Sequence, residues 1–536
     1  MEEEEGYKEI AKGTFWQFAS FTAVKVLGLI FTIFIAREFA KETIGQFYAA
    51  FGIISLATIL SDPGLSNVLS VYVSGYYGKK NYNTVKKLIR LVFHFGILLS
   101  AILVMGFFLL SKEVATFFNT PQIAPLIQIL SFYILLYSLF TMAQAAILGF
   151  KKSKDAAISM VIQTLSRLLL LYPVIMIFGK GAEIFTWLFL LSFGAGTVIH
   201  VYYVWKYYKE LQNSDENVEE KELRKEITPF GIASFAGVLI NNVFGNSDKI
   251  FLAYFLGSQG SADIAVYVLA LGLATLVQMF SSSIGSIFVP VVSHMHADNE
   301  ENYEKIVTVT NTALKWTLML ALPIFVFLLV YPSEILSVMY GQGYANGGTT
   351  LIILTVAFIA FTLGYHQRNV FYSIKKADVA TKITGISLVI TLVMYYLLIP
   401  IYGIVGAALS YLGFYFVSLV LTQIESKKLF KFNFYNTIYK IIAMGLILFV
   451  LNFGIKILLY DKISSVIMKL PLAGATKFLE LGVLFAPVAT LFLGLIFIGK
   501  YFTIFTKSEI EIFSQWLKKA KIPDIIISII NKIPSY

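Results

Sequence analysis

The chain has 536 residues, of which 57% are hydrophobic and only 14% are charged, and its net charge is +10. Soluble domains carry about 25% charged residues, so this composition excludes an ordinary soluble protein. The absence of cysteine excludes disulfides and thiolate metal sites. Five scattered histidines indicate no metal site either, and we expect no cofactor.

Fourteen apolar runs follow one another along the chain. Each is about as long as the 20 residues that cross a hydrocarbon core, and backbone polar groups inside that core must be satisfied within the segment. The sequence therefore predicts an all-α integral membrane protein with about 14 transmembrane helices. The predicted spans are 13–36, 43–73, 88–110, 122–148, 156–178, 182–205, 227–256, 263–290, 304–330, 347–372, 378–400, 404–424, 434–458 and 478–499.

Short matches indicate that the first twelve spans are two copies of a six-helix unit. Phe47–Gly52 resembles Tyr267–Gly272, and Lys151–Asp155 resembles Lys375–Asp378, at nearly the same separation and in the same order. Because six is an even number of spans, both copies share one orientation and form parallel repeats. We therefore predict an N-terminal lobe 1–205, a cytoplasmic linker 206–226, a C-terminal lobe 227–424, two additional helices within 425–500 and a cytoplasmic amphipathic tail 501–536.

The distribution of positive charge predicts the orientation. With both termini in the cytoplasm, the cytoplasmic segments hold far more lysine and arginine residues than the external connections. Much of the positive charge is then explained by topology, and we expect no nucleic-acid partner. A multi-pass protein of a prokaryotic cell membrane, in contact with membrane lipids, is the localisation that we expect.

Four segments carry a family resemblance. Ile59–Asn67 and Gly78–Asn81 resemble the second-helix region of prokaryotic polysaccharide flippases, and Ile147–Lys152 and Asn246–Gly257 are similar to the same family. The chain is identified as a member of the multidrug/oligosaccharidyl-lipid/polysaccharide (MOP) superfamily, in its Wzx-type or lipid II flippase-like branch. The resemblance implies two lobes around a cavity that opens alternately to each side, and a polyprenyl- or dolichyl-linked oligosaccharide as cargo. A coupling ion, Na⁺ or H⁺, or the membrane potential would drive transport.

Three basic residues lie deep inside predicted spans. Lys25, Arg167 and Lys315 are each roughly 16–18 Å from the end of their span, and a central charge that faces lipid costs about 2.5–3.5 kcal/mol. We expect them to face an interior and to form a cationic cavity that binds the phosphate groups of the cargo. The alternative is structural pairing with Asp248 or with backbone carbonyls.

Further polar residues are predicted to lie in this candidate site or near it. Lys249 and Arg368 have a second explanation, because long basic side chains also reach from a helix to the interface. The segment Asp62, Pro63 and Gly64, toward the cytoplasmic end of the second span, is a candidate hinge because proline bends helices. The polar residues predicted to line the cavity are Gln17, Asn241, Asn242, Asn246, Asp248, Lys249, Asn311 and Arg368.

Two other functions stay open. A cation-coupled multidrug exporter of the same superfamily would be expected to have twelve spans and buried acids. A membrane glycosyltransferase or polymerase that acts on lipid-linked sugars would need acidic catalytic residues in a large external loop. The longest external connection, 459–477, holds a single acid, and the sequence has no nucleotide-binding G-x-x-x-x-G-K-[ST] motif. We therefore expect a transporter without catalytic residues rather than an enzyme.

Overall fold

The computed structural model describes residues 2–214, 218–298 and 303–460, and these ranges are almost entirely helical and contain no β-strand. Short 3₁₀ and π turns connect or extend several of the helices. The α-helices are, in chain order, α1 Glu2–Glu38, α2 Lys41–Ser61, α3 Leu65–Val68, α4 Ser74–Gly78, α5 Tyr82–Leu109, α6 Ser111–Phe117, α7 Ala124–Gly149, α8 Ser153–Phe178, α9 Ala182–Glu210, α10 Glu220–Leu256, α11 Ser261–Ala274, α12 Gln278–Asp298, α13 Tyr303–Val330, α14 Pro332–Tyr340, α15 Gly348–Ser373, α16 Ala377–Phe430 and α17 Asn436–Ile455.

Eleven helical stretches in the described ranges are long and apolar enough to cross a membrane. Two of them, 220–297 and 377–430, each contain two of the predicted spans, so spans one to thirteen all fall on helices. The predicted fourteenth span, 478–499, and the tail 501–536 lie outside the described residues. An all-α architecture of many membrane-spanning helices is confirmed.

The predicted second span is interrupted in the structure. Helix α2 ends at Ser61, and α3 begins only at Leu65. Asp62 has φ −131° and ψ 66°, because proline disfavours helical angles in the residue before it. Gly64 then has φ +80°, a left-handed conformation that suits glycine. The predicted hinge segment is therefore a break in the helix, while movement at this break stays a prediction.

A second irregularity lies within α16. Gly403 has φ 55° and ψ −129°, so α16 is two helices joined at this residue. The residue stands between the predicted spans 378–400 and 404–424. Glycine allows these two spans to follow each other without a loop, because it has no Cβ to clash at positive φ.

The non-helical connection between the sixth and seventh spans is shorter than the predicted linker 206–226. Helix α9 continues to Glu210, and α10 already begins at Glu220. Charged residues at the ends of a membrane helix can stay helical in water, so polarity alone misplaces these boundaries. Residues 211–214, 218 and 219 have no regular secondary structure, and 215–217 lie outside the described ranges.

The described residues divide into two compact units. Unit 1 comprises those within 2–272 and 384–414, and unit 2 comprises those within 273–383 and 415–460. The lobes predicted at 1–205 and 227–424 stay a prediction.

Within unit 1, the second span packs against α10 and meets the first residue of α11 at very short range. A Cβ atom added to Gly45 would overlap the carbonyl oxygen of Ser261, and one added to Gly64 would overlap that of Gly231. Glycine is required at these positions because the backbones themselves are in contact, a known mode of helix packing in membranes.

Within unit 2, α13 packs against α12, α15 and α17. The contact with α17, the thirteenth predicted span, is close, since a Cβ atom on Gly445 would lie 2.7 Å from Cδ1 of Leu322. The thirteenth span is therefore an integral part of unit 2.

Candidate functional site

Arg167 lies in unit 1 inside an enclosure of aromatic side chains. It is fourteen residues into α8, about 21 Å along the helix. Its guanidinium carbon is 4.7 Å from the ring centroid of Phe189 and 5.5 Å from that of Phe31. The hydroxyls of Tyr48 and Tyr133 are close enough to interact with it electrostatically. The site therefore joins α8 to side chains from α1, α2, α7 and α9.

The guanidinium of Arg167 has no compensating anion among the described residues. Its Nε is buried and has no hydrogen-bond partner, and it forms no ion pair. A cation–π contact contributes about 2 kcal/mol when desolvated, whereas taking a charge out of water costs several kcal/mol. The aromatic enclosure alone leaves this charge undercompensated, so it can accept an anionic ligand.

Lys25 lies on α1, half-buried in unit 1. Its Nζ is 5.7 Å from the ring centroid of Phe21. It, too, forms no ion pair with any residue that the structure describes. On the same helix, the Nε2 of Gln17 is buried without a hydrogen-bond partner, and no described atom comes within 4 Å of the Cβ position of Gly28. Gln17 and Lys25 therefore leave unused hydrogen-bonding capacity on α1.

Asp248 on α10 compensates the charge of its neighbour Lys249. Asp248 and Lys249 are both buried, and the Lys249 Nζ lies 3.1 Å from Oδ1 of Asp248. The Tyr267 hydroxyl donates to Oδ2 at 3.0 Å, and Lys249 also donates to the carbonyl of Gly245 at 2.9 Å. Lys249 is therefore held inside unit 1 by a specific ion pair, and Asp248 is already in use as a counter-ion.

The three asparagines predicted on α10 use their amide groups locally. Each donates from Nδ2 to the carbonyl four residues earlier on the same helix, at 2.9–3.1 Å. Their Oδ1 atoms have no hydrogen bond within the described chain. These oxygens are available as acceptors along α10; the three residues are Asn241, Asn242 and Asn246.

Asp62 is buried at the break between α2 and α3. Its Oδ1 accepts from the backbone amide of Ser66 at 2.9 Å, and its Oδ2 accepts from the Thr141 hydroxyl at 3.0 Å. The carboxylate thus satisfies an amide at the start of α3 and attaches the break to α7. These bonds stabilise the interrupted conformation of the second span.

In unit 2, two basic residues occupy different surroundings. Lys315 is buried on α13, with Nζ 5.6 Å from the ring centroid of Trp316. Arg368 donates from Nη1 to the Ser418 hydroxyl at 2.7 Å, and its guanidinium is 5.8 Å from the ring centroid of Phe361. Arg368 is therefore anchored to α16.

Asn311 connects α13 to the segment between α16 and α17. Its Nδ2 donates to the carbonyl of Asn433 at 3.1 Å, and its Oδ1 accepts from the amide of Tyr435 at 3.1 Å. Both ends of the side-chain amide are used, so this geometry favours a structural role over cavity lining.

Residues 10–296, more than half of the chain, match the family model described as polysaccharide biosynthesis protein. The chain belongs to this family. A second model, MatE, matches residues 235–397 of this polysaccharide biosynthesis family member. The resemblance to the MOP superfamily is confirmed.

Curated relatives of this family member include archaeal and bacterial proteins. An uncharacterised membrane protein of Methanocaldococcus jannaschii is 23% identical over 88% of this chain and 94% of its own length. The probable low-salt glycan biosynthesis flippase of Haloferax volcanii is 26% identical over 28% of this chain and 31% of its own. The capsular polysaccharide biosynthesis protein CapF of Staphylococcus aureus is 25% identical, over 44% and 57% respectively.

Solved structures show the same fold. The lipid II flippase MurJ in an inward closed conformation superposes with a TM-score of 0.67 at 14% identity, over 89% of this chain and 97% of that one. An inward-facing multidrug resistance MATE transporter of the MOP superfamily has a TM-score of 0.63 at 14% identity, over 76% and 95%. This family member therefore has the fold of these transporters.

The structure places the predicted site residues in both units of this family member. Lys25, Arg167 and Lys249 belong to unit 1, whereas Lys315 and Arg368 belong to unit 2. It joins Asp248 to Lys249, and it pairs neither Lys25 nor Arg167 with that acid. A cavity shared by Lys25, Arg167 and Lys315 stays a prediction.

Sequence reasoning missed two groups of polar and aromatic contacts. One is the aromatic enclosure of Arg167, for which no local pattern exists. The other is a polar run in α15, where the His366 Nε2 lies 2.7 Å from the Thr317 hydroxyl and Gln367 accepts from the Gln423 amide at 2.5 Å. Three consecutive polar residues inside an apolar span, 366–368, were the available signal for the second group.

Proposed function

We propose that this protein moves a polyprenyl- or dolichyl-linked oligosaccharide from the cytoplasmic to the outer face of a prokaryotic cell membrane by alternating access. Membership of the polysaccharide biosynthesis family supports the glycan, and a relative named as a probable glycan biosynthesis flippase supports the translocation. The fold shared with the lipid II flippase MurJ supports a lipid-linked cargo. Both termini lie in the cytoplasm in this proposal, and an ion, Na⁺ or H⁺, or the membrane potential drives the cycle.

The observation that carries the proposal is the undercompensated charge of Arg167. A phosphate or diphosphate that leaves water needs cationic partners, and arginine binds it through two parallel hydrogen bonds. Lys25 in the same unit also has no counter-ion among the described residues. We assign the phosphate groups of the cargo to Lys25 and Arg167, together with Lys315 of unit 2.

A multidrug exporter of the same superfamily is the second candidate, because a MATE transporter also shares the fold, with a TM-score of 0.63 against 0.67 for MurJ. Cationic drugs need acidic partners in the membrane. Asp248 is paired with Lys249, and both carboxylate oxygens of Asp62 accept hydrogen bonds, from Ser66 and Thr141. Lys25 and Arg167 have no such partner ion among the described residues, which favours the anionic cargo.

The test replaces Lys25, Arg167 or Lys315 with Gln in a prokaryotic host whose own copy is deleted. Two quantities are measured: the protein level in the membrane, and the amount of lipid-linked oligosaccharide that accumulates on the cytoplasmic face. A charged hydrogen bond contributes about 1.5–3 kcal/mol, so transport should fall about tenfold or more at normal protein level. Lys25→Arg should keep part of the activity, and Lys315→Glu should be worse than Lys315→Gln.

Arg224→Gln is the matched control. Arg224 pairs with Glu220 on the exposed first turn of α10, and exposed pairs contribute little, so transport should stay normal. Normal transport in all three Gln variants at normal level would reject the cationic site. Loss of the proteins from the membrane would show that the residues are structural.

A further inference from the structure

A cavity of about 210 Å³ opens at one end of unit 1. It lies where the turn between α4 and α5, the turn between α7 and α8, and the end of α9 come together. The charge pattern assigns this end to the cytoplasm. The lining residues come from all three places; they are Tyr77, Tyr82, Phe150, Lys152, Tyr207, Glu210, Leu211 and Gln212.

The floor of the cavity is aromatic and fixed. The ring centroids of Tyr77 and Phe150 are 5.5 Å apart, and those of Phe150 and Tyr207 are 5.8 Å apart. Phe150 and Tyr207 are buried, and the Tyr207 hydroxyl donates to the carboxylate of Asp155. These contacts hold the rings in place without a ligand.

The rim offers hydrogen-bonding groups that the described protein does not use. The hydroxyls of Tyr77 and Tyr82, the carboxylate of Glu210 and the amide of Gln212 form no hydrogen bond with other described residues. The Lys152 ammonium lies 5.6 Å from the ring centroid of Tyr207. One positive and one negative charge leave the lining neutral, in contrast to the cationic surroundings of Lys25 and Arg167.

The connection that follows α9 forms one wall. Leu211 and Gln212 line the cavity, and the next residues are attached to the start of α5. The backbone amide of Asn83 donates to the Ser214 hydroxyl at 3.1 Å, and Lys87 donates from Nζ to the carbonyl of Val218 at 2.7 Å. This wall is therefore fixed on both sides of the undescribed residues 215–217.

We propose that this cavity binds one sugar ring of the lipid-linked glycan on the cytoplasmic side before translocation. The inference rests on the proposed function and adds a glycan site separate from the phosphate site. A sugar ring has apolar C–H faces that pack on aromatic rings, and hydroxyls that need both donors and acceptors. The cavity supplies both and carries no net charge. Its volume is below the roughly 300 Å³ of the smallest drug-sized pockets, which suits a single ring.

The test uses the absence of cysteine from the native chain. Gln212→Cys is introduced alone, and its reaction with a membrane-impermeant maleimide is followed in inverted vesicles. One set of vesicles comes from cells that make the lipid-linked glycan, the other from cells that lack the first sugar-transferring enzyme. Only protein with an empty cavity should react, and its fraction is 1/(1 + [L]/Kd), where [L] is the glycan concentration. Labelling should therefore be about threefold slower when the glycan is at about twice its Kd. Adding Tyr77→Leu should abolish this protection.

Glu210→Cys, on the same rim, provides a second probe if Gln212→Cys does not fold. Glu219→Cys, an exposed residue outside the cavity, should be labelled at the same rate in both sets of vesicles. Labelling of both rim variants at the same rate with and without glycan would overturn the proposal. If that shared rate is also much slower than the rate of Glu219→Cys, a resident membrane lipid occupies the cavity instead. Deletion of the gene, done separately, distinguishes the two claims. If lipid-linked glycan accumulates in the deletion strain but the labelling of the rim variants is the same with and without glycan, only the cavity is rejected. If no glycan accumulates in the deletion strain, the proposed function is rejected.

Discussion

The ammonium of Lys249 lies 3.1 Å from the carboxylate of Asp248, the residue immediately before it in α10. Both side chains are buried, and the hydroxyl of Tyr267 holds the second carboxylate oxygen at 3.0 Å. Two adjacent residues therefore form a neutral pair inside unit 1. Removing one partner of a buried pair leaves an uncompensated charge, which costs more than removing both.

We expect Asp248→Asn alone to destabilise the protein by about 3–5 kcal/mol, because the Lys249 charge is left buried without its partner. The double variant Asp248→Asn/Lys249→Met should recover most of this loss. The thermal unfolding midpoint of the purified protein and its level in membranes measure the effect. A double variant that loses the sum of the two single effects would show that the pair is not coupled.

The break at Asp62–Gly64 leads to a prediction about movement. A Cβ atom on Gly231 would lie 3.4 Å from Cγ2 of Val68, so side chains at these two positions are in van der Waals contact and two cysteines there are close enough to form a disulfide. We expect oxidation of Val68→Cys/Gly231→Cys to stop transport and reduction to restore it, because alternating access requires α3 to leave α10. Accumulation of the lipid-linked precursor is the measurement.

The control pair for this experiment lies within the predicted C-terminal lobe. A Cβ atom on Gly364 would be 3.9 Å from Cβ of Leu419, a separation that a disulfide can bridge, so Gly364→Cys/Leu419→Cys should also cross-link. Transport should then survive oxidation, since both residues belong to the same predicted lobe. Normal transport in the oxidised Val68→Cys/Gly231→Cys variant would argue against a hinge at 62–64.

The contacts of Asn311 predict that its role differs from that of Lys315. Asn311→Ala removes two hydrogen bonds to the segment between α16 and α17 and should cost about 1–3 kcal/mol. The unfolding midpoint should fall while transport per folded molecule stays normal. Asn241→Ala, whose amide bonds only its own helix, should leave the midpoint almost unchanged. A transport defect in Asn311→Ala at normal stability would place Asn311 in the cargo site.

Apolar runs predicted the spans well, because a membrane helix must be long and apolar whatever it packs against. They misplaced boundaries where this rule does not apply. Lys206 and Lys209 are charged yet helical at the end of α9, and Gly403 joins two spans without a loop. Pro63 indicated a bend in the predicted second span, 43–73, where the structure has a full break between α2 and α3.

The site was predicted in part. The depth of Arg167 follows from its position in an apolar run, but its enclosure does not, because Phe31 and Phe189 come from helices far apart in the sequence. Snorkelling was one interpretation of Lys249, and its adjacent acid was already visible. Whether neighbours on a helix pair with each other depends on rotamers and packing that sequence spacing does not specify.

The residue two positions before α10, Val218, is attached to the start of α5. The amide of Val218 donates to the Thr84 hydroxyl at 3.1 Å, its carbonyl accepts from Lys87 at 2.7 Å, and α10 begins two residues later. Any tilt of α10 that preserves these bonds has its fulcrum here. Helix α10 is about 54 Å long, so each degree of tilt displaces Leu256 by about 0.9 Å. The bonds of Val218 thereby make α10 a lever whose N-terminal end is fixed and whose C-terminal end sweeps the greatest distance.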